Sequence, residues 1–309
     1  MNDRYFSANQ FFREQFGGKT RKISLNAGFN CPNRDGTLDT QGCIYCDAYG
    51  SGPLLEHPPT VKDQIATYLT KHPGSRYIAY FQAFSNTYAP ADRLHQLYAQ
   101  ALIFPEVKGV FIGTRPDCIN KEVLEVLAEL SSQTYVCVEL GLQSIHDRSL
   151  QRLNRHHDYA DFLKAFNALR NVGLDTVVHL ILGIPGESRQ DMWASLHEMN
   201  RLLPRGIKLH MLHVLKQTKL ASLYRNGEIQ LFSQKEYVSL LVDLLEGLAP
   251  DIVVHRLTGE RNRELFIAPA WALDKAGTLK RISQEMSQRD TWQGKALGAP
   301  RRSTPKPNG

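Results

Sequence analysis

The chain of 309 residues has no run of about 18 apolar residues that would suit a bilayer-spanning helix. Its opening segment, MNDRYFSANQFFREQ, lacks a basic stretch followed by an apolar core, so no secretory leader is expected and the expected compartment is the cytoplasm. Cysteine is scarce, with five residues unevenly placed, which argues against the disulfide framework of a small secreted domain. A phosphate-cradling loop of the form GxxxxGKS or GxxxxGKT is also absent. Charge of either sign is not spread in excess along the chain. The net +6 is carried by segment 275–309, where Lys275, Lys280, Arg281, Arg289, Lys295, Arg301, Arg302 and Lys306 face only Glu285 and Asp290. Such an end is expected either to meet RNA phosphate or to stand as a solvated tail.

What is present suits a globular enzyme: 42% hydrophobic and 22% charged residues, with 22 Gly and 15 Pro, exclude a wholly disordered, collagenous or coiled-coil chain. Short β-rich runs alternate with amphipathic helical ones. KISL, RYIAYF, GVFIGT, TYVCVEL, LDTVVHLIL, IKLHMLHVL and DIVVHRL read as strands. The segment from Val61 to Leu69, ADRLHQLYAQAL, NKEVLEVLAEL, DRSLQRL, DYADFLKAFNALRNV, DMWASLHEMNRLL and QKEYVSLLVDLLEGL read as helices, with a final helix from Thr278 to Gln288. This order predicts an α/β fold on a parallel sheet, a partial or complete TIM-like barrel, with its binding cleft at the C-terminal strand ends. The expected divisions are a lead-in over 1–21, a barrel over 22–270, a small C-terminal extension over 271–293 and a flexible basic tail over 294–309.

Three of the five cysteines fall in CPNRDGTLDTQGCIYC, at Cys31, Cys43 and Cys46. The CxxC pair is close enough to share one metal centre, and Gly36 and Gly42 permit the turns that bring Cys31 to it. Three thiolates can hold three irons of a [4Fe-4S] cluster and leave the fourth iron open to a nonprotein ligand. A four-ligand zinc or redox site completed by Cys118, Cys137 or a histidine is the competing account.

Together with YFQAFSNTYAP, GTRPD, VELGLQS and LILGIPGES, this loop makes the chain resemble the radical S-adenosylmethionine superfamily. The resemblance runs from about Arg21 to Glu260 and is to a bacterial branch near the Elongator catalytic subunit and the oxygen-independent coproporphyrinogen oxidases. The interval between Cys31 and the CxxC is wider than is common in the family and resembles the expanded loop of the Elongator-like branch. No acetyltransferase-like segment is recognisable after the radical-like region, and no auxiliary cluster motif accompanies Cys118 and Cys137. The resemblance implies an enzyme in which Cys31, Cys43 and Cys46 carry one [4Fe-4S] cluster and S-adenosylmethionine binds its open iron. Reduction of the cluster by an electron donor would then cleave the sulfonium and give a 5′-deoxyadenosyl radical.

The same resemblance implies the cofactor's surroundings. Tyr45 would pack beside the adenine; Gln82, Ser85 and Asn86 would replace the glycine-rich segment that receives the amino group. Glu139, Gly141, Gln143 and Ser144 would face the ribose and methionyl parts. Arg155 would pair with the carboxylate, while Gly183, Gly186 and His213 would line the adenosine side. Arg115 and Asp117 are orienting candidates, and His255, Arg256, Glu260, Arg263 and Glu264 form a mixed-charge rim. Ordinary loop capping and buried hydrogen-bond networks compete for many of these side chains. The substrate is unidentified: tRNA is suggested by the branch and the basic end, a small metabolite or a protein are alternatives, and a non-enzymatic Cys-metal or RNA-binding protein is the remaining reading.

Overall fold

The computed structural model describes residues 4–50, 58–74, 76–259 and 263–302. Six strands follow one another with helices between them: β1 (Arg21–Leu25), β2 (Tyr77–Phe81), β3 (Val107–Thr114), β4 (Tyr135–Gln143), β5 (Asp175–Leu182) and β6 (Gly206–Met211). With β7 (Val214–Leu215) set aside in a second sheet, β8 (Val253–Arg256) completes an all-parallel sheet of order β1-β2-β3-β4-β5-β6-β8. The sheet curls into a half-barrel that stays open between its two edge strands, β1 and β8. The connecting helices are α2 (Val61–Lys71), α3 (Ala91–Leu102), α4 (Lys121–Ser131), α5 (Asp147–Arg152), α6 (Tyr159–Asn171), α7 (Arg189–Leu202) and α9 (Gln234–Glu246). Their apolar stripes bury Ile65, Leu94, Leu127, Phe166, Leu196 and Leu241 in the core cluster that also holds Ile23, Phe81 and Ile112 of the sheet. No helix among the described residues is long and apolar enough to cross a membrane.

The lead-in over 1–21 contains a helix that the strand-helix alternation did not suggest. In α1 (Ala8–Phe16), Ser7 Oγ accepts from the Gln10 amide, and Gly17 ends the helix at φ 70°, a left-handed value that glycine adopts without strain. Phe6, Phe11 and Phe12 pack with Ile78, Tyr80, Phe111, Cys137, Val177 and Val253, which close the barrel's lower end with apolar side chains. Ser7 bridges to Val254, so the plug is tied to the β8 edge.

IKLHMLHVL, read as one strand, divides. After β6 the amide of Leu212 still bonds to Leu182 O, and the chain then leaves the barrel to pair β7 with the antiparallel β9 (Phe266–Ala268). Leu212 and Val214 join Ile184, Leu153 and Ile44 in a separate apolar cluster with α8 (Lys219–Arg225), which periodicity cannot distinguish from a longer strand. The last helix, α10 (Lys275–Gln288), begins three residues before the predicted start because Asp274 caps it by accepting from Gly277. From Gly294, where a tail is expected, the described chain makes a short 3-10 turn, Lys295–Leu297, and Gly294 N donates to Leu245 O. Several basic side chains at this end are already engaged: Arg289 pairs with Asp243 and Glu285, Lys295 lies over Trp292, and Arg302 lies over Phe6.

Candidate functional site

The loop after β1 crosses the C-terminal mouth of the half-barrel, and its own backbone determines where the thiols stand. Arg34 N donates to Cys31 O at 2.8 Å, and Cys46 N closes the CxxC turn on Cys43 O at 3.0 Å. The Arg34 guanidinium then donates to the carbonyls of Cys46 and Asp47 at 2.8 and 2.7 Å, tying the two ends of the loop together. Ile44 N bonds to Leu153 O and Leu220 N to Ile44 O, so the loop is sewn to the segment after α5 and to α8.

Two asparagines that the sequence reading did not select complete this clamp. Asn33 Nδ2 donates to Asn154 O at 2.6 Å and reaches Cys43 Sγ at 3.4 Å. Asn154 Nδ2 donates to Asp39 Oδ2 at 2.6 Å and Gly42 O at 2.8 Å from a backbone at φ 57°. Asparagine tolerates that conformation better than most residues, which was the available signal in LNRHH. Asn154→Ala is expected to open the loop, because it removes both donors and leaves alanine in a left-handed conformation. At about 1–3 kcal/mol, trypsin cleavage at Arg34 should speed up about five- to 160-fold. Asn154→Gly, which relieves only the backbone, should fall between; equal rates for wild type and Asn154→Ala would remove the pin from the account.

Cys31, Cys43 and Cys46 are all free thiols and line one cavity. Burial raises the Cys43 thiol, but the charges of Arg155 and Arg115 outweigh it and bring the thiol below its ordinary value. Cys46, buried and beside Cys43, is pushed up to about 11. Among the described residues no group of three or more His, Cys, Asp or Glu is arranged to hold a single metal ion. Three thiols on one wall, not converging on one point, fit a cluster whose irons each take one thiolate, and donors from Arg155 and Asn33 to Cys43 Sγ suit a thiolate ligand. Cys118 and Cys137 are buried outside this lining, and burial raises both thiols, Cys118 to about 12.

Of the other residues singled out in the sequence, Tyr45, Gln82, Ser85, Glu139, Gly141, Gln143, Arg155 and His213 line the same cavity. Asn86, Ser144, Gly183 and Gly186 do not line it. Asn86 Nδ2 is turned to Gly113 O, and Ser144 Oγ donates to Glu187 at 2.5 Å, each tying loop to loop. A Cβ on Gly183 would meet the Phe232 ring, and one on Gly186 would meet the Arg152 guanidinium, so both glycines serve packing next to the mouth. Glu260 of the rim lies outside the described residues.

Both arginines line the cavity beside the cysteine loop. Arg155 donates to Cys43 Sγ at 3.3 Å, Tyr45 OH at 3.1 Å, Gly141 O at 2.7 Å and His157 Nε2 at 3.1 Å, so its guanidinium joins the cysteine loop to β4. A Cβ on Gly141 would press on Gln143 Nε2 at 2.9 Å and on Arg155 Nη2 at 3.3 Å, so glycine leaves room for both side chains. Arg115 donates to Asp117 and to Arg155 O, and its Nη1 is buried without a partner while the side chain lines the cavity. That orphan donor can receive an anion.

The cavity floor was largely missed in the sequence. Glu139, fully buried, accepts from Lys22 at 2.8 Å and His179 at 3.0 Å and from Lys208, which also donates to Tyr80 OH at 3.0 Å. Burial alone would raise the Glu139 carboxyl, but Lys208 and Lys22 hold it well below the usual carboxylate range. Burial lowers the Lys208 ammonium to about 7 against the pull of Glu139. The signal was the period-2 interruption of apolar strands by polar residues, Lys208 and His210 in IKLHM and His179 in VVHLIL.

Residues 30–199 match the model of the radical SAM superfamily, and residues 204–288 match that of the radical SAM C-terminal domain. The chain is 40% identical over 300 residues to the uncharacterised protein YtqA of Bacillus subtilis, spanning 94% of this chain and 92% of that one. It is 30% identical over 134 residues to the tRNA uridine(34) acetyltransferase of Methanocaldococcus infernus, which covers 42% of this chain and 24% of that enzyme. The solved structure of Elp3 from the same archaeon superposes with a TM-score of 0.67 at 16% identity, covering 89% of this chain and 64% of that one.

Proposed function

Because the chain belongs to the radical S-adenosylmethionine superfamily, and is an enzyme of that kind, we propose that Cys31, Cys43 and Cys46 hold one [4Fe-4S] cluster beside an S-adenosylmethionine site. The observation that carries this reading is the delivery of three free thiols to one cavity at the C-terminal mouth of a parallel half-barrel. When bound, the reduced cluster and S-adenosylmethionine supply a 5′-deoxyadenosyl radical for hydrogen abstraction from the substrate. The chain's own residues position and shield. Arg155 and Asn33 donate to Cys43, Arg115 Nη1 offers the methionyl carboxylate a buried donor, and Tyr45, Gln82, Ser85, Gln143 and His213 supply the surrounding wall. Phe11 and Phe12 of α1, with Phe6, pack apolar surface against the barrel's lower end.

The proposed substrate is tRNA, supported by the partial similarity to a tRNA-modifying enzyme; a small metabolite or a protein is the alternative. A reducing protein partner and a cytoplasmic setting belong to the same proposal. The test is anaerobic reconstitution of the full chain, iron and sulfide analysis, and 5′-deoxyadenosine measurement with dithionite. Cluster-dependent 5′-deoxyadenosine and an electron paramagnetic resonance signal altered by S-adenosylmethionine are expected. A bound zinc without sulfide, or a cluster indifferent to S-adenosylmethionine, would overturn the reading. Mass changes in digested tRNA that need both reductant and S-adenosylmethionine would support the substrate assignment, and changes confined to a small molecule would reject it.

A further inference from the structure

The gap between β1 and β8 opens into a second cavity, separate from the cysteine mouth. Its walls carry Lys19 and Arg21 at the surface and Lys22, Lys208 and Arg256 further in, and among the described residues no carboxylate lines it. Tyr80, Lys208 and Arg256 line both cavities, so the two meet at the buried floor. Lys22 and Lys208 share the single negative charge of Glu139. Lys19, Arg21 and Arg256 make no side-chain hydrogen bond or ion pair among the described residues, and both ring nitrogens of His255 on the same wall are buried without a partner.

Like charges converging on one opening repel each other, and a fold that keeps Lys19, Arg21 and Arg256 there with no counter-carboxylate among the described residues is built for an anion supplied from outside. A single carboxylate would leave most of that charge uncompensated. A phosphate group, with more charge and more acceptor oxygens, suits several guanidinium and ammonium donors at once. We propose that the opening between β1 and β8 is the substrate entrance and that it recognises a phosphate group of the substrate, with Arg256 at the depth where the two cavities join and Arg21 and Lys19 at the rim. This inference rests on the reading above for the identity of the chamber it leads to. The phosphate comes either from a small phosphate ester or from the backbone of an RNA, and the binding experiment separates the two sources.

The full chain, reconstituted with its cluster, is titrated calorimetrically with inorganic pyrophosphate and with a ten-residue oligouridylate, and 5′-deoxyadenosine formation is measured on the same preparation. Losing one charge-assisted contact corresponds to about tenfold. Arg256→Gln and Arg21→Gln should therefore each weaken pyrophosphate binding by about that factor, and Arg256→Lys should restore most of it, which separates lost charge from a misfolded variant. Lys280→Gln and Arg281→Gln, on the exposed face of α10, should leave pyrophosphate binding unchanged. Oligouridylate binding that is weakened by the same two substitutions and competed by pyrophosphate assigns the phosphate to RNA. Pyrophosphate binding weakened by them with no oligouridylate binding assigns it to a small ester. Absence of pyrophosphate binding, or binding indifferent to Arg21 and Arg256, overturns the proposal, even where S-adenosylmethionine is cleaved. Pyrophosphate binding with the expected losses but no cleavage retains the anion site and removes the radical reading instead.

Discussion

Replacing Cys43 with alanine is expected to abolish reductive cleavage of S-adenosylmethionine, lowering 5′-deoxyadenosine formation at least about a hundredfold. Removing this thiolate takes away more than one of three cluster ligands. Cys43 Sγ is also where Arg155 Nη1 and Asn33 Nδ2 converge, at 3.3 and 3.4 Å, so the variant leaves two buried donors short of an acceptor. Its effect should therefore exceed that of Cys31→Ala, whose thiol is more exposed and accepts no such donor among the described residues. Iron and sulfide per chain should fall in all three variants, with Cys43→Ala lowest, measured after identical anaerobic reconstitution. Iron content and spectra unchanged in Cys31→Ala, Cys43→Ala and Cys46→Ala together would remove the ligand assignment. Loss of cleavage with full iron content in Cys43→Ala alone would reassign that thiol from ligand to cofactor positioning.

The parts of this site that were legible in the sequence are those carried by local pattern. CIYC constrains two thiols to neighbouring positions whatever the fold, and the alternation of strand and helix runs places the following loops at one end of a parallel sheet. What could not be read is which partners a polar residue finds across the barrel. Arg155 has the chemistry to bind a carboxylate, but 112 positions separate it from the Cys43 thiol that it holds. Lys22 and Glu139 are 117 apart, and Lys208 and Glu139 69 apart, so their convergence follows from strand order and inward pleat alone. Helix α1 was missed for a different reason: its phenylalanines fill the barrel from within, a role that the strand-helix alternation does not foretell, although Ser7 and Gly17 mark its ends. The β7–β9 pair was missed because a short strand that continues an apolar run has no pattern of its own.

The second large effect is expected at Glu139, on the stability of the fold. Its side chain is fully buried, and Lys208, 3% exposed, depends on it for charge compensation, with Lys22 and His179 sharing the same two oxygens. Glu139→Ala leaves two lysines inside the barrel without a counter-ion, and breaking a buried pair in this one-sided way costs about 3–5 kcal/mol. A domain with about 5–15 kcal/mol in total loses a large share of its stability to such a change, which urea unfolding monitored by circular dichroism would measure. Glu139→Ala combined with Lys208→Met should recover part of the loss, since the more deeply buried charge goes with its partner. The pH dependence follows from the direction of the carboxyl shift. Glu139 is held well below its ordinary value in the folded chain, so its contribution is present above the unfolded carboxylate range and is lost as pH falls through the folded value. Wild type should therefore lose stability on acidification more steeply than Glu139→Gln, which has no carboxyl to protonate there. Parallel acid profiles for the two, or a Glu139→Ala variant within about 1 kcal/mol of wild type, would mean that water reaches the floor of the barrel and screens the pair as it screens a surface salt bridge.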